Sequence, residues 1–209
     1  MATPKPQIRS MFPTPVCVHF LPVAQEVNTE LRPLVLEKMN GGDSADPHGW
    51  RSGADLESWG GLPVQTLFRM LRELADSMTG TRSGGRVTLN WRIAAFAGVR
   101  LKGQDADCHM QDDAVWSGVY FVDDGYGKSD DERLGGECAF ADPRGTLTAS
   151  VAPQYGFRIP GGATVGQWET IRPQTGMILL HPSWQPRGEH RYDGNGQRIT
   201  IEFDLSLPE

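Results

Sequence analysis

Apolar residues at Val23, Val27, Leu31, Val35 and Met39 recur every four positions and stop before Gly41-Gly42, which predicts one amphipathic helix bent at Pro33. A second stripe, Val64, Leu67, Phe68, Leu71, Ala75 and Met78, predicts another helix ending near Gly80. Both stripes read as packing faces. Residues 40–61 contain Gly, Asp, Pro, Trp50 and Trp59 without a period, and read as an ordered loop. From Arg86 the period changes to two, with Val87, Leu89, Trp91, Ile93 and Ala95 alternating with Thr88, Asn90, Arg92 and Ala94. Further strands are expected at 99–101, 115–122, 137–140, 168–171, 177–181 and 199–205, separated by Gly-, Pro- and Asp-rich turns. Helices followed by a run of short strands predict a mainly β sandwich or jelly roll with N-terminal helices packed on its outside. One domain over 1–209 is expected, with a helical part at 1–85 and a β core at 86–209.

The chain has 209 residues, 38% of them hydrophobic and 22% charged, enough to bury one substantial core. Its net charge of −6, without a Lys/Arg block, argues against nucleic acid or an anionic membrane as partner. A small-molecule or peptide substrate fits better, and a homo-oligomer is left open. The N-terminal segment leads into no apolar core of signal-peptide length and nothing approaches a membrane span, so a cytoplasmic location is expected. Cys17, Cys108 and Cys138 are odd in number and widely spaced, as reduced thiols are. The acidic stretch 123–132 reads as a solvated loop or a lid.

His109, in Asp107-Cys108-His109-Met110-Gln111, opens the chemistry. A single His at the start of a strand is ordinarily a hydrogen-bonded structural imidazole. The segments after it change that reading: Ser117-Gly118-Val119-Tyr120-Phe121-Val122, Phe140-Ala141-Asp142-Pro143-Arg144, 173–184 ending in His181-Pro182-Ser183-Trp184, and 197–203. With Phe12-Pro13-Thr14-Pro15-Val16 and Gly49-Trp50-Arg51-Ser52 upstream, they resemble in order and spacing the small bacterial and phage 2-oxoglutarate/Fe(II) oxygenases, over nearly the whole chain.

The resemblance implies a double-stranded β-helix with iron held at the barrel mouth by a His-x-(acid or His) pair and a distal His. Three ligands on one face leave positions for a keto acid and oxygen. His109 falls on the first ligand position, Gln111 on the second and Arg187 on the distal one. Halogenating relatives dispense with the carboxylate at the second position, and Gln111 offers a neutral carbonyl oxygen. Arg187 has no lone pair to give and repels a cation. A relocated metal site is conceivable, with His109, Asp112 or Asp113, and His190 or His181. By resemblance Arg198 clamps the distal carboxylate of 2-oxoglutarate, with Thr200 on its face and Tyr120 lining the interior. Asn90 is a candidate pocket residue, Trp116 and Trp184 read as core, and Glu189, Glu202 and Asp204 have no assignable partner.

Three functions follow. The first is an oxidative Fe(II)/2-oxoglutarate enzyme with a non-standard metal site, hydroxylating a small molecule or peptide, with His109 as ligand and Arg198 holding the co-substrate. The second is a metal-independent cyclase, isomerase or eliminating enzyme, using His109 as acid/base with Arg187 and Arg198 as anion clamps. The third is a catalytically silent binding partner. The first ranks highest because the family's frame is complete.

Overall fold

A computed structural model describes residues 7–9, 11–41, 48–145, 150–152, 154–155, 157–159, 162–164 and 168–208. Strand β1 (Cys17–Phe20) leads into helix α1 (Ala24–Asn40), which runs through Pro33 and buries Val27, Leu31 and Val35. The segment read as a loop contains a two-residue strand, β2 (Trp50–Arg51), and a one-turn helix, α2 (Leu56–Trp59). Helix α3 (Gly61–Met78) buries Val64, Leu67, Phe68, Leu71 and Ala75, the stripe expected from its period.

The strands that follow are β3 (Arg92–Arg100), β4 (Ala106–His109), β5 (Trp116–Asp123), β6 (Cys138–Ala141), β7 (Phe157–Ile159), β8 (Gly162–Thr164), β9 (Trp168–Ile171), β10 (Met177–Pro182), β11 (Arg187–Glu189) and β12 (Arg198–Ser206). Alternation from Arg86 predicted a strand starting there, whereas β3 starts at Arg92. The preceding segment is held by a side chain instead: Asp76 Oδ1 accepts hydrogen bonds from the Leu89 N–H (3.0 Å) and the Trp91 indole N–H (2.8 Å). Trp91 is buried. Asp76→Ala leaves both donors unpaired and is expected to destabilise the fold by about 2 kcal/mol, measured by urea denaturation.

A six-stranded sheet in the order β1-β10-β5-β12-β3-β2 faces a four-stranded sheet, β4-β11-β6-β9, and every pairing is antiparallel. Strands β7 and β8 form a separate hairpin. One face of the large sheet, with Trp116, Tyr120, Val122, Ile199, Ile201, Phe203 and Leu205, packs against α1 and α3. Between the sheets lies a smaller apolar core of Val119, Phe121, Cys138, Phe140, Met177 and Leu179. Strand period therefore sorts β12 into an apolar face toward the helices and a polar face, Arg198, Thr200, Glu202 and Asp204, toward the barrel interior. Gly118 is needed where β5 crosses under its neighbours, since a Cβ there would lie 2.2 Å from the Leu179 carbonyl oxygen and 2.5 Å from the Phe203 ring. No helix among the described residues is long and apolar enough to cross a membrane.

Candidate functional site

The open end of the barrel holds a cavity of about 20 Å³, large enough for about one water-sized group. His109, Gln111, His181, Arg187, Glu202 and Asp204 line it, with Arg51 at its side. Cross-strand register builds this cluster: Arg187 on β11 lies opposite His109 on β4, and the Gln111 N–H donates to the Ser183 carbonyl (3.0 Å).

His109 is exposed, and its Nδ1 lies 3.0 Å from the Asp107 carbonyl oxygen. A carbonyl only accepts, so Nδ1 carries the proton and Nε2 keeps its lone pair. His181 has the same tautomer for the same reason, with Nδ1 3.0 Å from the Pro182 carbonyl oxygen, but it is buried and its Nε2 has no hydrogen-bond partner. Burial, and then the charge of Arg187, push its pKa down to about 4, so it is neutral at pH 7.

Behind the cavity the interior is a chain of ion pairs. Arg100 contacts Glu189 (3.0 Å) and Glu202 (3.1 Å), Arg187 contacts Glu189 (3.3 Å), Arg198 lies 3.7 Å from Glu189, and Arg51 lies 3.7 Å from Glu202. Burial alone would raise the Glu202 carboxyl, but Arg100, Arg187 and Arg51 outweigh it and hold its pKa at about 2. Burial likewise opposes the charge on Arg187, and the neighbouring Glu189 and Glu202 carboxylates help to outweigh it, so the guanidinium stays protonated. Asp204, hydrogen-bonded by Ser117 (2.6 Å), has its pKa raised chiefly by burial. The cavity itself is lined by two guanidinium groups, Arg51 and Arg187, and two carboxyls, Glu202 and Asp204, and the network behind it adds Arg100 and Arg198 against Glu189.

Arg198 is fully buried and turned toward its own chain. It donates to the carbonyls of Gly136 and Asp124 and lies over the rings of Tyr126 (5.0 Å) and Tyr192 (4.6 Å). Gly136, at φ +77°, makes room for it, since a Cβ there would meet the guanidinium at 2.5 Å. Thr200 shares this interior face and is buried with its hydroxyl unpartnered.

Tyr120 does not line the interior. It belongs to the helix-facing core, and its hydroxyl donates to Asn28 Oδ1 (2.6 Å) on α1. The conceivable relocated metal set is not brought together either. Asp112 and Asp113 sit on an exposed turn, and exposed His190 has its Nδ1 3.7 Å from Glu137. Among the described residues no group of three His, Cys, Asp or Glu side chains is placed to hold a metal ion. Trp184 is exposed rather than core, and Cys17, Cys108 and Cys138 are free thiols. The acidic loop is anchored rather than lid-like at its base. Asp123 pairs with Arg32 (3.2 Å), Asp124 accepts from the Thr175 N–H (2.9 Å), and Tyr126 is buried against Arg172, leaving 127–130 exposed. Sequence reasoning missed Arg51, Arg100, Glu189 and Glu202 as site residues. Glu202 alone carried a signal, since period two from Arg198 puts it on the same face.

Two antiparallel sheets closed around a polar cavity at one end, with helices outside the larger sheet, define a double-stranded β-helix. The chain belongs to the 2OG-Fe(II) oxygenases, a family of enzymes: the family model described as "Putative 2OG-Fe(II) oxygenase" matches residues 96–204. Among solved structures, a prolyl hydroxylase from Trichoplax adhaerens, in complex with a hypoxia inducible factor oxygen degradation domain peptide fragment, is similar at TM-score 0.62 and 12% identity, covering 91% of this chain and 83% of that one. A Pseudomonas putida prolyl-4-hydroxylase is similar at TM-score 0.56 and 14% identity over 94% and 88% of the two chains. HygX from Streptomyces hygroscopicus, with nickel and 2-oxoglutarate bound, is similar at TM-score 0.57 and 14% identity over 93% and 83%. No curated protein matches the chain.

Iron(II) and 2-oxoglutarate are the family's metal and co-substrate, and the residues present do not fit the metal. The position opposite His109 is a protonated guanidinium without a lone pair, Glu189 and Glu202 are already committed to arginines, and Asp204 accepts a hydrogen bond from Ser117.

Proposed function

We propose that this chain is an enzyme of the oxygenase fold that binds a carboxylate-bearing small molecule or peptide at the barrel mouth and works without iron at the family's ligand position. The observation that carries this reading is Arg187, buried, lining the cavity and lying in register opposite His109. A guanidinium at the distal ligand position offers an anionic group what it denies a metal ion, and guanidinium forks suit carboxylate geometry. The cavity takes about one carboxylate oxygen, while the rest of the ligand stays outside. Structures similar to this chain hold a peptide in one case and hygromycin B in another, which supports both substrate sizes.

The chemistry open to such residues is proton transfer beside a carboxylate or carbonyl. His109 Nε2 is the available lone pair for a general base, and Arg187 stabilises the negative charge that develops on oxygen. Isomerisation, elimination and cyclisation are the matching reaction classes. His181, neutral and buried, supplies a dry wall and a second lone pair rather than a charge.

The test is an anaerobic titration with Fe(II) and 2-oxoglutarate beside a thermal-shift titration with acetate. The expected result is no visible metal-to-ligand charge-transfer band, together with a saturable stabilisation by acetate that is lost in Arg51→Ala. A band that appears, and disappears in His109→Ala, would overturn the reading in favour of an iron oxygenase with a minimal ligand set.

A further inference from the structure

We propose that Glu189 is a built-in substitute for a bound carboxylate, so that the arginine site deep in this barrel is filled by the chain itself and closed to a dicarboxylate co-substrate. The claim goes beyond the proposed function, which concerns the cavity at the mouth.

The Glu189 side chain is 1% exposed and has three guanidinium groups around it: Arg100 at 3.0 Å, Arg187 at 3.3 Å and Arg198 at 3.7 Å. Arg187 lies two residues before Glu189 on β11, Arg198 comes from the next strand, β12, and Arg100 from the distant β3, and the three converge on one carboxylate. That is the construction of a carboxylate receptor, with the carboxylate supplied in cis. Arg198 confirms the fit from the other side. It is fully buried, its Nε and Nη1 are taken by the Asp124 and Gly136 carbonyls, and its Nη2 has no hydrogen-bond partner. Carbonyls solvate a guanidinium but do not neutralise it, and Glu189 is the anion that the structure brings to it. A free dicarboxylate reaching Arg198 would have to displace a counter-ion that pays no binding entropy.

Truncating Glu189 to alanine removes a group equivalent to acetate and leaves the guanidinium groups facing the gap. Acetate is therefore expected to bind Glu189→Ala and raise its Tm saturably by about 3 °C or more beyond any rise in wild type, with chloride at equal ionic strength giving no such excess. Because Arg187 serves both places, the comparison is repeated in an Arg51→Ala background, which lacks the mouth response, so the difference isolates the Glu189 site whether or not acetate binds at the mouth. An equal acetate response in wild type and Glu189→Ala overturns the proposal. If Glu189→Ala does not fold even in acetate, Glu189→Gln decides: a Tm equal to wild type overturns the counter-ion role, and a lowered Tm upholds it.

Discussion

Arg198→Met is expected to destabilise the fold by about 3–5 kcal/mol, the cost of removing one partner from a buried charge network. The guanidinium is fully buried, so its contacts belong to the interior rather than to a ligand surface. Its removal strands the Gly136 and Asp124 carbonyls, takes one of three cations from Glu189, and deletes a cation lying against the Tyr126 and Tyr192 rings. Methionine fills much of the volume, which confines the loss to charge and hydrogen bonding. Lysine should not rescue, because an ammonium lacks the planar fork that donates to two carbonyls from Nε and Nη1 while its face lies against aromatic rings. Equilibrium urea denaturation reads the effect. A variant within 1 kcal/mol of wild type would mean that Arg198 is held for an external carboxylate, as the family resemblance implies, and not for the fold.

The two uses of arginine could not be told apart in sequence, and the reason is register. Alternation along 198–206 shows that Arg198, Thr200, Glu202 and Asp204 share a face, but not what lies opposite. Arg100 pairs across from Arg198, and Arg187 pairs across from His109, through strands about 80 to 100 residues apart in the chain. Tyr120 was misplaced for a related reason. Residues 116–122 of β5 are all buried, so no polar alternation marks which side faces the helices. Strand β11 is three residues long and has no readable period, which hid Glu189 although it lies two residues from a candidate ligand position. Helix stripes, by contrast, were legible because α1 and α3 each bury one face against the sheet. The departures from the family's ligand set were also legible, since they depend only on residue identity at aligned positions. Their consequence, a guanidinium paired to a carboxylate of its own chain, needed coordinates.

Acidification should weaken this protein in two successive windows, the first well above the usual carboxylate range. His181 has an ordinary pKa of 6.5 and is depressed to about 4 in the fold by burial and by Arg187. Below pH 6.5 the unfolded chain takes up a proton that the native state refuses, so this stability is present above 6.5 and is lost as pH falls toward 4. The shift corresponds to at most about 3 kcal/mol. Glu202 follows: its ordinary value of 4.5 is lowered to about 2, because Arg100, Arg187 and Arg51 outweigh the burial that would raise it. Its contribution is present above 4.5 and is lost between 4.5 and 2. Both signs agree, and Asp204, whose pKa is raised by burial, works the other way and offsets part of the loss as it takes up its proton. The groups are buried, and added salt should change the profile little. Urea denaturation at pH 7.5 and pH 4.5 separates the two windows, since of these two groups only His181 titrates between them. His181→Asn, which cannot take up that proton, should flatten the fall by about 3 kcal/mol. An unchanged slope in that variant would place the acid-sensitive group elsewhere and remove the argument that His181 is held neutral beside Arg187.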